Sequence, residues 1–310
     1  MQIDFFLTVQ NVSVLFLLIV IGFIAGSTNL ISEEGQKDIT QLVLYITMPA
    51  TIISAMQVEM NAQRLETSFI IFVILIFCYC FMYLVGRFTS RLLPITKGQQ
   101  DIFQVALLLS NTSFMGYPII LSILGPDALF YAVVGAGFIF ECVAWSLGTY
   151  LISLNGTDIA VFNWKKIFFS PGILSIIIGL SIFAFQISIP EPINSAINAV
   201  SPATSPLAMI VIGIMLSRSN IKEAFQNKTL YFAAALKLLV IPIVILFTLK
   251  LLGFTGASLV IPVIMISMPS ASYVAMFSSN YGNDEQYSSQ IVFLTSLLSM
   301  VTIPLITTLL

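Results

Sequence analysis

Charge is the scarcest property of this chain: only 8% of its 310 residues are Asp, Glu, Lys or Arg. A soluble globular protein carries about 25%, so 12 cations and 14 anions cannot clothe a water-facing surface of this size. Histidine is absent, which removes imidazole metal ligation, Ser-His nucleophile activation and histidine proton shuttling. The three cysteines, Cys78, Cys80 and Cys142, lie inside apolar runs at a spacing that fits no zinc site, and they read as soft packing residues. No metal site is expected. Together these shortages exclude a cytosolic enzyme, a secreted disulfide scaffold and a nucleic-acid binder. The opening Met1-Gln2-Ile3-Asp4 also lacks the basic residues of a cleaved signal, so the first apolar run is expected to stay in the membrane.

What the chain has in quantity is apolar length: 58% of residues are hydrophobic and the mean hydropathy is +1.02. A crossing takes about 20 apolar residues, and windows of about 19 residues locate the candidates. Ten spans are expected at 6–26, 38–57, 67–91, 101–123, 127–153, 169–186, 192–217, 229–252, 256–279 and 287–309. The fold class is therefore an all-α polytopic membrane protein with ten transmembrane helices and no room for an extramembrane domain. With an outside N-terminus, the inner connections hold Lys37, Arg87, Arg91, Lys97, Lys165, Lys166, Arg218, Lys222 and Lys228; the outer ones hold only Arg64 and Lys250. The positive-inside bias then puts both termini on the external side of the cell membrane.

Two pieces of sequence recur at nearly one offset. Pro49-Ala50-Thr51 in the second span returns as Pro202-Ala203-Thr204 in the seventh, and Pro118 in the fourth is answered by Pro269 in the ninth. The halves divide as 1-155 and 156-310, five spans each, and five being odd, the second must run inverted. Inverted repeats are a transporter architecture; Pro49 and Pro202 are its supporting prolines.

The fourth span contains Ser110-Asn111-Thr112-Ser113-Phe114-Met115-Gly116-Tyr117-Pro118, and the ninth Ser267-Met268-Pro269-Ser270-Ala271-Ser272. Proline and glycine release the chain from helical geometry, and non-helical backbone at membrane depth survives only inside protein or along a wet cavity. Each break should expose a half-helix N-terminus worth roughly +0.5 charge, which favours an anion such as a carboxylate. The expected substrate-binding residues are Asn111, Thr112, Ser113, Gly116, Pro118, Pro269, Ser270, Ala271 and Ser272, with Asn111 as a direct polar contact and the two prolines holding the breaks open.

Glu141 and Lys237 are the clear intramembrane charges. Lys237 lies about 14 Å beyond Lys228 at 1.5 Å per residue, too deep to snorkel easily. Three roles stay open for it: partner of a substrate carboxylate, an amine that responds to protonation, or a structural cation paired with Glu141 or with freed helix carbonyls. Glu141 is the candidate for proton coupling, since a buried carboxylic acid can titrate near neutral pH. Asp4, Asp127, Asp284 and Glu285 fall near span ends and should be solvated, and Trp164 reads as an interfacial anchor.

At these residues the sequence resembles the auxin efflux carrier family of membrane transport proteins. Asn111-Thr112 with Met115-Gly116 and Pro118 is similar to the family's N-T-x-x-M-G-x-P motif; Met268-Pro269, Phe277, Tyr281-Gly282 and Pro304 resemble its last two spans. Glu141-Cys142 with Trp145 is similar to a Gln-Cys-x-x-Trp stretch of plant members, with Glu in place of Gln. Lacking the large central loop of plant members, the chain looks like a compact bacterial one. The resemblance implies ten spans whose fourth and ninth helices cross at broken segments, and transport of small organic acids such as malate, malonate or auxin-like acids. It implies no cofactor, with coupling to H+ or Na+ as alternatives. The expected partners are a small organic anion and the lipid bilayer, with a homodimer as a candidate assembly. Two alternatives differ in class: a membrane sensor of the same fold, which would need an output surface that the sequence does not offer, and an intramembrane enzyme, for which HExxH, GxSxG and paired aspartates are missing.

Overall fold

The computed structural model describes residues 5–157, 168–218 and 221–310, with the side chains of 5–9 and 221–222 left aside. Asp4, Trp164, Lys165, Lys166 and the side chain of Lys222 thus lie outside the described residues. Among the described residues the chain is helical throughout, and the one element of sheet-like pairing is an isolated bridge.

In chain order the helices are α1 (Phe5–Ser27), α2 (Glu33–Ala55), α3 (Ala62–Leu92), α4a (Lys97–Leu108), α4b (Thr112–Leu124), α5 (Pro126–Ser153), α6 (Pro171–Phe185), α7 (Glu191–Ser217), α8 (Lys228–Leu251), α9a (Ala257–Ile266), α9b (Tyr273–Asn280) and α10 (Glu285–Thr307), with a short helix Ile221–Gln226 before α8. Seven of them, α1, α2, α3, α5, α7, α8 and α10, are long and apolar enough to cross a membrane. Each expected span coincides with a helix to within a few residues, except that 101–123 and 256–279 are each two helices. Their outward faces carry large apolar side chains, among them Phe77, Phe88, Phe185, Phe247 and Leu251. Exposed apolar surface of this extent belongs against lipid rather than water. The protein is a multi-pass membrane protein.

Helix ends are set by local chemistry. Ser32 accepts from the Gly35 N–H, Asn61 from Arg64, Ser170 from Ile173 and Asp284 from Tyr287, each satisfying an otherwise unpaired first-turn donor. Thr96 and Gln99 form a reciprocal capping box at the start of α4a. Gly125, at φ 82°, turns the chain from α4b into α5, a conformation that a Cβ would penalise.

Packing sorts the helices into two groups. In one, α1 lies along α7. Their backbones touch: a Cβ on Gly22 would sit 2.1 Å from the Ile210 carbonyl oxygen, and one on Gly213 2.0 Å from that of Ile19. The end of α2 packs on α6, where Gly179 faces Met56, and α2 meets α7 through hydroxyls at Thr51, Ser201 and Thr204. In the other group, α3, α5, α8 and α10 enclose α4a and α9a, whose Ile102–Leu109 and Val260–Ile266 stretches are buried.

Connections are laced at two faces. On one, Gln99 donates to Asp284, Asn155 to Asp101, Asn283 to the Ile152 carbonyl, and Arg218 to the Ile31 carbonyl. On the other, Arg64 pairs with Asp127 at 3.6 Å, Gln186 donates to the Val58 carbonyl, and Lys250 to that of Leu309. Asp127 and Glu285 are exposed, as expected of span ends, while Asp284 is half-buried in that lacing.

Candidate functional site

The fourth and ninth segments cross at their breaks. After α4a the chain straightens through Leu109-Ser110-Asn111 and runs antiparallel to Pro269-Ser270-Ala271, with Ser110 and Ser270 forming the bridge. The Asn111 N–H donates to the Pro269 carbonyl and the Ala271 N–H to that of Leu109, both at 2.8 Å. The serine hydroxyls reciprocate: Ser110 Oγ donates to the Ile266 carbonyl at 3.4 Å and Ser270 Oγ to that of Ala106 at 2.9 Å. Each break thus supplies the partners that the other lacks, which is the condition for irregular backbone in hydrocarbon.

Lys237 completes the crossing. It sits in a wide π-helical turn of α8, Leu236–Val240, and is fully buried. Its Nζ donates to the Leu107 carbonyl at 2.9 Å and to Ser110 Oγ at 2.7 Å, with Met82 Sδ at 3.9 Å. The cation therefore caps the negative end of the α4a dipole. Of its three roles, the structural one with freed helix carbonyls is the arrangement present; it makes no ion pair with Glu141.

The two half-helix N-termini differ. That of α4b is closed by Asn111, whose Oδ1 accepts from the Phe114 N–H at 3.3 Å and whose carbonyl accepts from Gly116 at 3.0 Å. Asn111 lies in the break itself, between α4a and α4b. Its neighbour Thr112 has a buried hydroxyl with no hydrogen-bond partner among the described residues. Pro118 and Pro269 sit in different local structure. Pro269 belongs to the extended crossing strand, whereas Pro118 lies inside α4b directly after the π-helical Thr112–Gly116, a widened turn that accommodates a residue with no N–H to donate.

A cavity of about 440 Å³ leads to the crossing from the Lys37 side. One wall is α2 (Gln36, Lys37, Thr40, Gln41) with Val211 and Met215 of α7; the other is Phe114 of α4b with Ser272, Tyr273, Met276 and Ser279 at α9b. The two helix groups thus face each other across it. Of the expected binding residues, Ser272 lines this cavity; Asn111, Thr112, Gly116, Pro118, Ser270 and Ala271 are buried behind it, and Ser113 is half-buried. Pro49 and Pro202 stand well inside α2 and α7, at the start of the inner stretches Met48–Ala55 and Ser201–Ala203, beside the Thr51–Thr204 contact.

Glu141 is buried in α5 between two further π-helical turns, Val133–Gly137 and Ala144–Gly148. Trp145 Nε1 donates to its Oε2 at 3.0 Å and the Tyr273 hydroxyl to its Oε1 at 3.4 Å. Tyr273 packs, tilted or edge-on, within a ring cluster of Phe140, Trp145 and Phe277. Phe114 and Tyr273 were not singled out from the sequence; the available signal was their place directly after each break.

The crossed, mutually completed half-helices and the cavity ending on them define a polytopic membrane protein of transport type. The membrane transport protein family matches residues 7–307, and the chain belongs to that family, the one that contains the auxin efflux carriers. A transporter of Methanocaldococcus jannaschii is 28% identical over 304 residues, covering 95% of this chain and 96% of its own. A Rhizobium meliloti protein named "Putative malonate transporter" is 23% identical over 307 residues, covering 93% and 91%. Auxin efflux carrier component 1 of Arabidopsis thaliana is 25% identical over 140 residues, covering 44% of this chain and 22% of its own.

Proposed function

We infer that this chain is a secondary transporter of small organic anions that works by alternating access, and not an enzyme. Ten membrane-crossing segments in two inverted halves, 1-155 and 156-310, carry it, with both termini external and the Lys37–Lys97 side cytoplasmic. The observation that carries the reading is the cavity that separates α2 and α7 from α4b and α9b and ends at Ser272 and Tyr273. An anion there meets the open N-terminal turn of α9b, which favours negative charge, and movement of one helix group against the other would turn the same floor to the opposite side. The relatives' names, which include a malonate transporter and an auxin carrier, support carboxylates as the substrate class.

The test is uptake into proteoliposomes of a panel of dicarboxylates, monocarboxylates and indole acids, with imposed H+ or Na+ gradients. Saturable uptake of a carboxylate, lost on heat inactivation, supports the reading; a panel in which no anion enters above empty liposomes overturns it. Orientation is tested separately with single cysteines at Asn283 and Glu59. An impermeant thiol reagent added to intact cells should modify the Glu59 position only, and modification at Asn283 would invert the topology.

A further inference from the structure

We propose that Tyr273 is the relay through which Glu141 exchanges a proton with the cavity, so that the coupling ion of the transporter is H+. The inference rests on the transport reading for its purpose. Two observations lead to it. The first is that Glu141 is buried with no cation at ion-pair distance among the described residues, while Lys237 is committed to the crossing. The titratable groups facing Glu141 are Tyr79 from α3, Tyr117 from α4b, Cys142 on its own helix and Tyr273 from α9b. Its remaining polar neighbours are Trp145 and, at the start of α6, Ser170. All of these are neutral groups, so no ion pair holds the carboxyl in its ionised form.

The second observation is that only one of these residues both contacts the carboxyl and lines the cavity. Tyr273 lines the cavity and its hydroxyl donates to Glu141 Oε1. Tyr79 and Tyr117 are buried, and neither they nor Trp145, Ser170 and Cys142 line that cavity. A phenol is both donor and acceptor. On protonation, a cavity hydronium gives its proton to the Tyr273 oxygen while the phenolic proton passes to Oε1. Tyrosine is neutral before and after, water is released, and the carboxylate becomes the acid; release runs the same steps backwards. Tyr273 is the first residue of α9b, the helix whose N-terminus the substrate anion would approach. Substrate occupancy and proton access are thereby controlled at one place. Tyr273 is a positioning residue for Glu141 rather than its titrating group.

Trp145 reports on the carboxyl directly, because its indole N–H donates to it. The chain has 2 tryptophans, so Trp164→Phe leaves Trp145 as the single tryptophan, excited selectively over tyrosine, in the full-length protein in nanodiscs. A rapid drop in pH should step the Trp145 emission, and Glu141→Gln should abolish the step. Tyr273→Phe keeps the ring packing and removes only the hydroxyl; it should reach the same final emission at least about tenfold more slowly. As a second route that leaves Tyr273 intact, Met276→Cys, placed on the cavity wall in a background without the native cysteines, is modified with a bulky thiol reagent to fill the cavity. The same slowing is expected. A step that survives Glu141→Gln, or unchanged relaxation rates in both Tyr273→Phe and the plugged protein, overturns the relay. These readouts need no substrate, so their failure is distinct from that of the transport reading, which falls only if the uptake panel is empty.

Discussion

Thr51 and Thr204, 153 positions apart, share a hydroxyl–hydroxyl hydrogen bond of 2.7 Å. Each ends a Pro-Ala-Thr tripeptide, one at the close of α2 and one within α7, so the recurrent tripeptides meet each other rather than separate partners. Thr51 Oγ1 also lies 3.0 Å from the Thr47 carbonyl and 3.1 Å from that of Ser201, and Ser201 Oγ donates to it at 3.2 Å.

Replacing Thr204 with Val keeps the volume and removes one partner of the buried Thr51 hydroxyl, which retains the Thr47 and Ser201 oxygens. The expected loss is that of one net hydrogen bond, about 0.5–1.5 kcal/mol of stability, and the double variant with Thr51→Val should lose less than the two single losses combined. Thermal unfolding of the purified protein in detergent measures all four corners of the cycle; strictly additive losses would mean that the two hydroxyls are not coupled.

Gly213→Ala should destabilise more than its size suggests. The added methyl would meet the Ile19 carbonyl oxygen at 2.0 Å, a backbone atom that cannot swing away, so α1 and α7 must separate. Overpacking of this sort costs about 1–3 kcal/mol. Gly35→Ala, whose methyl would meet only side-chain atoms at 3.3–3.4 Å, is the control and should leave the melting temperature unchanged or raised.

Lys237→Met should leave the Leu107 carbonyl and Ser110 hydroxyl without their donor, a loss of about 1–3 kcal/mol, and should depress uptake of every substrate alike. The measurement is melting temperature together with relative rates across the anion panel. A variant with selectively lost affinity for one anion would instead make Lys237 a substrate contact.

Asn111 and Pro118 should part company. Asn111→Ala removes the side-chain cap of α4b, worth about 1 kcal/mol, and should weaken anion transport. Pro118→Ala leaves the crossing bonds at Asn111 and Ala271 untouched and should keep substantial transport. Uptake and melting temperature of both variants decide the matter, and equal losses would return Pro118 to the role that the sequence assigned it.

The path of the helices was largely readable because apolar length is a local property: the windows over 127–153 and 192–217 match α5 and α7 almost to the residue. Breaks at 109–111 and 267–272 were also visible, as polar and proline residues inside apolar runs. Their partners were not. Ser110 meets Ser270, and Lys237 reaches Leu107, across more than 100 positions, and nothing in either local stretch names the other. Proline spacing compares positions along the two halves of the sequence, whereas the contact across the crossing joins Ser110 to Ser270. Tyr273 escaped notice for a similar reason: one aromatic among 37 (Phe, Tyr and Trp together) gains its meaning only from facing Glu141 and a cavity at once.

The reciprocal crossing also bears on how such a chain is made. The donors and acceptors opened at Leu109 and Asn111 are matched only by Pro269 and Ala271, which emerge from the ribosome some 160 residues later. Until then the fourth segment sits in the bilayer with an unmet gap in its ladder, and the first five helices by themselves are an unfinished object. Assembly is obliged to run backwards along the chain, the late ninth segment closing the early fourth, and a fragment ending before it would stay a client of the insertion machinery.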